Sequence, residues 1–196
     1  MHRLVLAAAV ALVTALPGCT QAQVMASEHG MVQQRVDGTT ITIQYYRPER
    51  RGRDNLFGGV VKWGSTWTPG ANWATTIDVD HDVKIDGHAL AKGKYSIWMV
   101  PRQGDWTVIF STVWKRFHVQ GPDPSAPQVK FTVKPDSTPM VDVLTFSFPA
   151  VEPDATTLLF QWGTTAVQLH IEVPPSNAPP PPDSASEAGR RLVLHA

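Results

Sequence analysis

The sequence predicts an all-β domain, an antiparallel sandwich of about 8 to 10 strands, with a closed barrel as the alternative because both architectures hide their sheet faces. Three observations carry this expectation. Side chains alternate between apolar and polar over several short runs, the period of two that a half-buried strand requires. Turn-forming residues separate those runs at the spacing of all-β domains. No window outside the N-terminal leader repeats its apolar residues every 3.6 positions, so little helix is expected beyond it.

The leader comes first. Arg3 is followed by an unbroken stretch of Leu, Val, Ala and one Thr over residues 4–16, the pattern of a secretory signal occupying residues 1–18. Its place behind Met1, His2 and Arg3 argues against a buried core helix, and it falls short of the roughly 20 apolar residues that cross a bilayer. Leu16-Pro17-Gly18-Cys19 resembles the lipobox of bacterial lipoproteins, in which an acylated Cys19 would anchor the protein to the membrane. Pro17 departs from the small or β-branched residue usual there. The alternative is ordinary cleavage after Ala22, which would release a soluble periplasmic or secreted protein. Residues 19–30 lack periodicity and read as a tether.

The β domain is expected over residues 31–174. The run 39–46 sets Ile41, Ile43 and Tyr45 on one face and Thr40, Thr42 and Gln44 on the other. Val167, Leu169, Ile171 and Val173 alternate as cleanly with Gln168, His170 and Glu172. Between them, strands are expected at 74–79, 82–85, 94–100, 106–111, 129–134, 141–148 and 156–162. Asp86-Gly87 suits a two-residue turn whose positive φ angles match strand twist, so the residues on either side should pair as a hairpin. Residues 101–105 link two aromatic-rich strands through a longer loop. From 175 to 196 the chain turns rich in Pro, Ser and Ala, with consecutive prolines at 179–182, and reads as an extended disordered tail.

Lys plus Arg and Asp plus Glu number 17 each, and losing Arg3 with the leader leaves a mature charge near −1. That balance gives no electrostatic case for nucleic acid, whose partners carry a basic surplus. Charged residues are 17% of the chain while Trp and Phe number seven each, so the domain can bury a core. With 196 residues and one cysteine, there is length for one sizeable domain and no intrachain disulfide to staple it.

Residues 47–76 break the alternation and concentrate Gly, Arg and Trp. Long irregular segments in compact domains are usually functional. Tyr45-Tyr46-Arg47-Pro48, Gly52-Arg53, Phe57-Gly58-Gly59, Trp67-Thr68-Pro69-Gly70-Ala71-Asn72 with Ala74-Thr75-Thr76, and Gly93-Lys94-Tyr95-Ser96 stand here in an order and spacing that resembles DUF2911, a family of bacterial exported domains of unknown function. The resemblance covers residues 26–173. It implies a small β domain behind a signal peptide and no established activity. Many members carry Arg after the motif's Trp and Glu after its Asn, where this chain has Thr68 and Trp73. An acid or base role for that Glu would therefore be missing here.

No cluster in the sequence meets the standard of a catalytic or metal motif, and no metal or cofactor is expected. Across an Asp86-Gly87 turn His88 faces Ile85, which leaves His81 ~13 Å away at ~3.3 Å per residue, too far to share a zinc ion bound at ~2.0 to 2.1 Å. The run 78–82 resembles the start of a calcium loop, yet Val83 and Ala89 occupy the positions of its Gly and Glu. No Gly-x-Ser-x-Gly is present. What remains is Arg47, Arg50, Arg51, Arg53, Trp63, Trp67, Asn72 and Trp73. Arg offers a planar fork of donors to carboxylate or phosphate, Trp a stacking face for a sugar or cation, and Asn a neutral donor and acceptor. Arg47, Arg53, Trp67, Asn72 and Trp73 are the candidate ligand-binding residues, the rival reading being that they merely pack and satisfy the loop. The expected function is an envelope domain, periplasmic and lipid-anchored to the outer membrane, that binds a small anionic or glycan ligand or an envelope partner. The alternatives are a periplasmic hydrolase or lyase using residues such as Asp54, His118 or Glu49, and a purely structural lipoprotein.

Overall fold

The computed structural model describes residues 26–176. The signal run, Cys19 and the proline run lie outside the described residues. Ten strands follow in order: β1 Glu28–Val36, β2 Thr39–Arg47, β3 Thr76–Val79, β4 Val83–Ile85, β5 His88–Leu90, β6 Gly93–Val100, β7 Trp106–Ser111, β8 Gln128–Val133, β9 Asp136–Val151 and β10 Ala155–Glu172. They build a six-stranded sheet in the order β1-β2-β3-β6-β7-β8 and a four-stranded sheet in the order β5-β4-β10-β9. Every pairing is antiparallel. Neither sheet closes on itself, so the architecture is a sandwich and not a barrel.

Strand register explains the core. Ile41 and Ile43 of β2 lie opposite Val79 and Ile77 of β3, and Ile97 and Met99 of β6 opposite Phe110 and Val108 of β7. Because directly opposed residues share a face, one row of apolar side chains runs across the six-stranded sheet. It packs on Leu144 and Phe146 of β9 and on Leu158, Phe160, Leu169 and Ile171 of β10, all buried. The sheets meet at a corner just past β2. There Glu49 bridges Val143 of β9, the Arg50 N–H donates to the Asp142 carbonyl at 2.8 Å, and the Leu144 N–H donates to Pro48 at 3.0 Å.

The outer face of the six-stranded sheet has a small core of its own, made of Ala74, Trp98, Val100 and Ile109. Two loops lie over it: residues 68–75, which contribute Ala74, and 112–127, whose Val113 carbonyl accepts from Ser96 Oγ at 3.0 Å. This second layer positions the site described below.

The Asp86-Gly87 hairpin forms as expected, with φ of 47° and 78° and Ile85 opposite His88. Three elements differ from the expectation, the first being β9, which runs Asp136–Val151 where 141–148 is expected. β1 was not among the expected strands, and it takes in 28–30 of the stretch read as a tether. Its inward row, Gly30, Val32, Gln34 and Val36, is only half apolar, which blurs the alternation, although Asp37-Gly38 makes the same positive-φ turn into β2. The strands expected at 156–162 and 167–173 are one strand, β10, kept continuous by register shifts around Gly163. Pro139 and Pro149 lie in β9, an edge strand, where a missing N–H costs no ladder bond on the open side.

Candidate functional site

The irregular segment divides into three parts with different physical tasks. From Arg47 to Asp54 the chain has almost no ladder, so its carbonyls need donors, and arginines supply them. Arg47 lays its stem against Gly30, where an added Cβ would come within 2.8 Å of Cδ. Its guanidinium reaches the Leu144 carbonyl at 3.4 Å and Thr145 Oγ1 at 3.2 Å, strapping β2 to β9. Arg53 donates to the carbonyls of Arg50 at 2.7 Å and Glu49 at 2.8 Å, and Arg51 to that of Ala26 at 3.0 Å. Arg50 pairs with Asp54 at 2.8 Å and Asp142 at 3.3 Å.

The second part closes one end of the sandwich. Leu56 and Val61 are buried, and Phe57 and Trp67 pack against the main core. The Trp67 ring stacks on Trp162 with centroids 6.0 Å apart and planes at 15°, and meets Phe160 edge-on. Its backbone exchanges hydrogen bonds of 2.8 and 2.7 Å with Met99. Beside it lies a cleft of about 330 Å³, walled by Arg50, Asp54, Phe57, Trp63 and Trp162 among others. The Trp162 indole N–H, buried, has no hydrogen-bond partner among the described residues.

The third part is a braced loop. Thr68 Oγ1 donates to the Ile97 carbonyl at 2.9 Å and accepts from the Thr75 N–H at 2.9 Å, while Thr75 Oγ1 donates to the Pro69 carbonyl at 2.8 Å. Gly70 passes so close to β2 that a Cβ would lie 3.2 Å from the Tyr46 carbonyl oxygen. Asn72 takes the left-handed conformation, φ 58°. Its carbonyl accepts from the His118 N–H at 2.8 Å and from His118 Nδ1 at 2.9 Å. Since a carbonyl only accepts, Nδ1 carries the proton. Asn72 Nδ2 donates to Ser27 at 3.3 Å. The Ala74 N–H donates to Arg116 at 2.8 Å, and Trp73 bridges Phe117. Loops 68–75 and 112–127 are thereby zipped together, leaving the Trp73 ring 41% exposed.

Between these loops and the sheet runs a groove of about 220 Å³. Its floor is the outer face of β2, β3 and β6, with Gln44, Tyr46, Thr76 and Lys94. His29 of β1, edge-on to Tyr46 at 5.3 Å, flanks it, and Trp73, Trp114 and Lys115 complete the lining. In contrast to the arginines, the side chains of Gln44, Tyr46, Lys94 and Lys115 make no hydrogen bond or ion pair among the described residues. Lys94 Nζ sits 4.6 Å from the centroid of the Trp114 ring. It does so although Asp78 stands directly opposite Lys94 in the β3–β6 ladder. A cross-strand charge pair and a cation–π contact are each worth on the order of 1 kcal/mol or less, so leaving Asp78 costs little and carries the ammonium into the groove. Polar groups without partners, gathered between aromatic walls, are the usual makings of a ligand site.

Of the five candidates named from sequence, Trp73 lines this groove. Asn72 and Arg47 hold loop and strand beside it, Trp67 packs against the core, and Arg53 lies at the β2–β9 corner. Glu49 and Asp54 share that corner, whereas His118 belongs to loop 112–127, on the groove's side of the sheet, where it holds the Asn72 carbonyl. Sequence reasoning missed Tyr46, Lys94, Trp114 and Lys115. One signal was available: Tyr46 falls on the polar-facing phase of β2, where an aromatic side chain cannot serve the core.

The family model described as a protein of unknown function, DUF2911, matches residues 27–171. The chain belongs to the DUF2911 family. Searches of curated proteins and of solved structures return no match. Three of the DUF2911 motif stretches converge on the groove: Tyr45 and Tyr46 from the first, Ala74 and Thr76 from the stretch beginning at Trp67, and Lys94 from the last. Thr68 and Trp73 lie in the same loop. Thr68 is the buried brace, and Trp73 puts an aromatic ring at the groove.

Proposed function

We propose that this DUF2911 domain is an exported, non-catalytic binding module that takes a small ring-bearing ligand, a glycan residue or small anionic ring, in the groove between Trp73, Trp114, Tyr46 and Lys94. The signal-like leader and the cysteine behind it support export and a lipid anchor at Cys19, which would hold the groove near the membrane surface. One observation carries the binding reading: aromatic faces and unengaged polar groups gather in a single groove, while the arginines nearby are tied to carbonyls and carboxylates. The volume, about 220 Å³ and so below the roughly 300 Å³ at which drug-sized pockets begin, suits one ring with its substituents.

The test is a titration of the protein with neutral and acidic hexosides, followed by the indole N–H resonances. Trp73 and Trp114 should shift, while Trp98 and Trp106, both buried, should not. Trp73→Ala combined with Trp114→Ala should abolish hexoside binding as read by titration calorimetry, with the thermal midpoint moving by no more than about 3 °C. Shifts confined to other tryptophans, or none with any hexoside, would remove the groove from consideration. Turnover of a hexoside would remove the non-catalytic half of the proposal.

A further inference from the structure

We infer that the ring this groove takes is an acidic hexose, its anionic substituent held by the ammonium of Lys94 while its apolar face rests on aromatic rings of the groove. The inference rests on the groove being the ligand site and adds the charge of the ligand. Two ammonium groups, Lys94 and Lys115, line the groove with His29, and no Asp or Glu is among the lining residues. In a chain whose acids and bases balance at 17 each, two lysines against the single carboxylate of Asp78 across the ladder leave a local positive surplus, which favours anions.

Donor and acceptor chemistry points the same way. A neutral sugar presents many hydroxyl donors, and the lining offers them few side-chain acceptors, chiefly Gln44, Thr76 and Tyr46, with no carboxylate. An anionic substituent instead presents acceptors to three N–H donors on each lysine. Lys94 is the telling residue. Its ladder partner is Asp78, yet no ion pair joins them, and Nζ lies over the Trp114 ring at 4.6 Å. The π face contacts one side of the ammonium and leaves donors for a further acceptor. Sugar ring and anionic group would then be met side by side, by the neighbouring rings of Trp73 and Tyr46 and by the lysine lying on Trp114. A lysine ammonium is a point charge and does not select among anions by geometry as an arginine fork does. The shared chemistry is therefore a six-membered sugar ring carrying carboxylate, phosphate or sulfate.

The experiment titrates the protein with D-glucuronate, glucose 6-phosphate, glucose 6-sulfate and glucose, read by the Trp73 and Trp114 indole resonances, at low salt and again in 0.5 M NaCl. At least one acidic sugar should bind roughly tenfold more tightly than glucose, the size of one charge-assisted hydrogen bond. Added salt should narrow the gap. Lys94→Met should bring the acidic sugar down to the level of glucose, and Lys94→Arg should restore the preference. An unchanged Trp98 resonance in each variant reports an intact sheet. Which acidic sugar binds best identifies the anionic group. Glucose equal to every acidic sugar, or a preference that survives Lys94→Met, would overturn the inference and leave the groove as a binding site. Silence from all four sugars would overturn both.

Discussion

Trp67 and Trp73 belong to one short stretch of chain and have the same side chain, so their surroundings alone set them apart. Trp67 is stacked on Trp162 and edge-on to Phe160, and truncating it would open a cavity that the flanking strands cannot fill. Trp67→Ala should lower the unfolding free energy by about 3 kcal/mol. Trp73→Ala, on a ring that is 41% exposed and meets Phe117 edge-on, should change it by no more than about 1 kcal/mol. Urea denaturation of both variants checks the contrast, and equal losses would contradict the division drawn here between core and groove. Residue type in the sequence identified aromatic and cationic side chains worth weighing, but not their partners. Arg53 could not be separated from a ligand-binding arginine because an irregular segment always has carbonyls in want of donors, and which donor reaches them depends on the fold. Lys94 stands in a family motif, yet neither it nor Trp114 is marked as a binding residue, because nothing in sequence tells that a lysine will forsake the aspartate opposite it for an indole ring.

At the level of elements, legibility followed the strength of alternation. β6, β7 and the end of β10 have an apolar inner row, β2 has one over Ile41, Ile43 and Tyr45, and all four could be placed within a residue or two. β1 escaped because half of its inward row is Gly and Gln. β10 was divided in two because Gly163 interrupts its pattern, and the structure shows what that glycine does. It takes φ 62° at a register shift against β9, and a Cβ there would meet Leu56 Cδ1 at 2.8 Å. The strand is thereby bent against the loop that closes the sandwich end. Gly163→Ala should cost about 1 to 2 kcal/mol through the left-handed backbone alone, whereas Gly104→Ala, with open space around it and no positive φ, should be close to neutral. Thermal unfolding of the pair decides it: a neutral Gly163→Ala would mean that the bulge relaxes freely and does not fix the strand.

The whole molecule is held by packing across two sheets, with links at opposite corners. Arg47 straps β2 to β9, and His88 of β5 stacks on Phe131 of β8 with centroids 4.5 Å apart and planes at 6°. One main core spans both sheets, and the small cluster around Trp98 shares β6 and β7 with it through their opposite faces. Backbone hydrogen bonds also run from the outer layer into the sheet, the Ile97 N–H donating to Thr75 at 2.7 Å. The groove is therefore built on strands that cannot separate without opening the main core. Urea unfolding should accordingly show one transition, with Trp162 in the main core and Trp98 under the loops losing their native resonances at the same midpoint. An earlier loss at Trp98 would show that the layer carrying Trp73 and Trp114 melts as its own unit. Ligand binding would then have to order those loops as well as fill the groove, and affinity would fall by the fraction of molecules in which they are open.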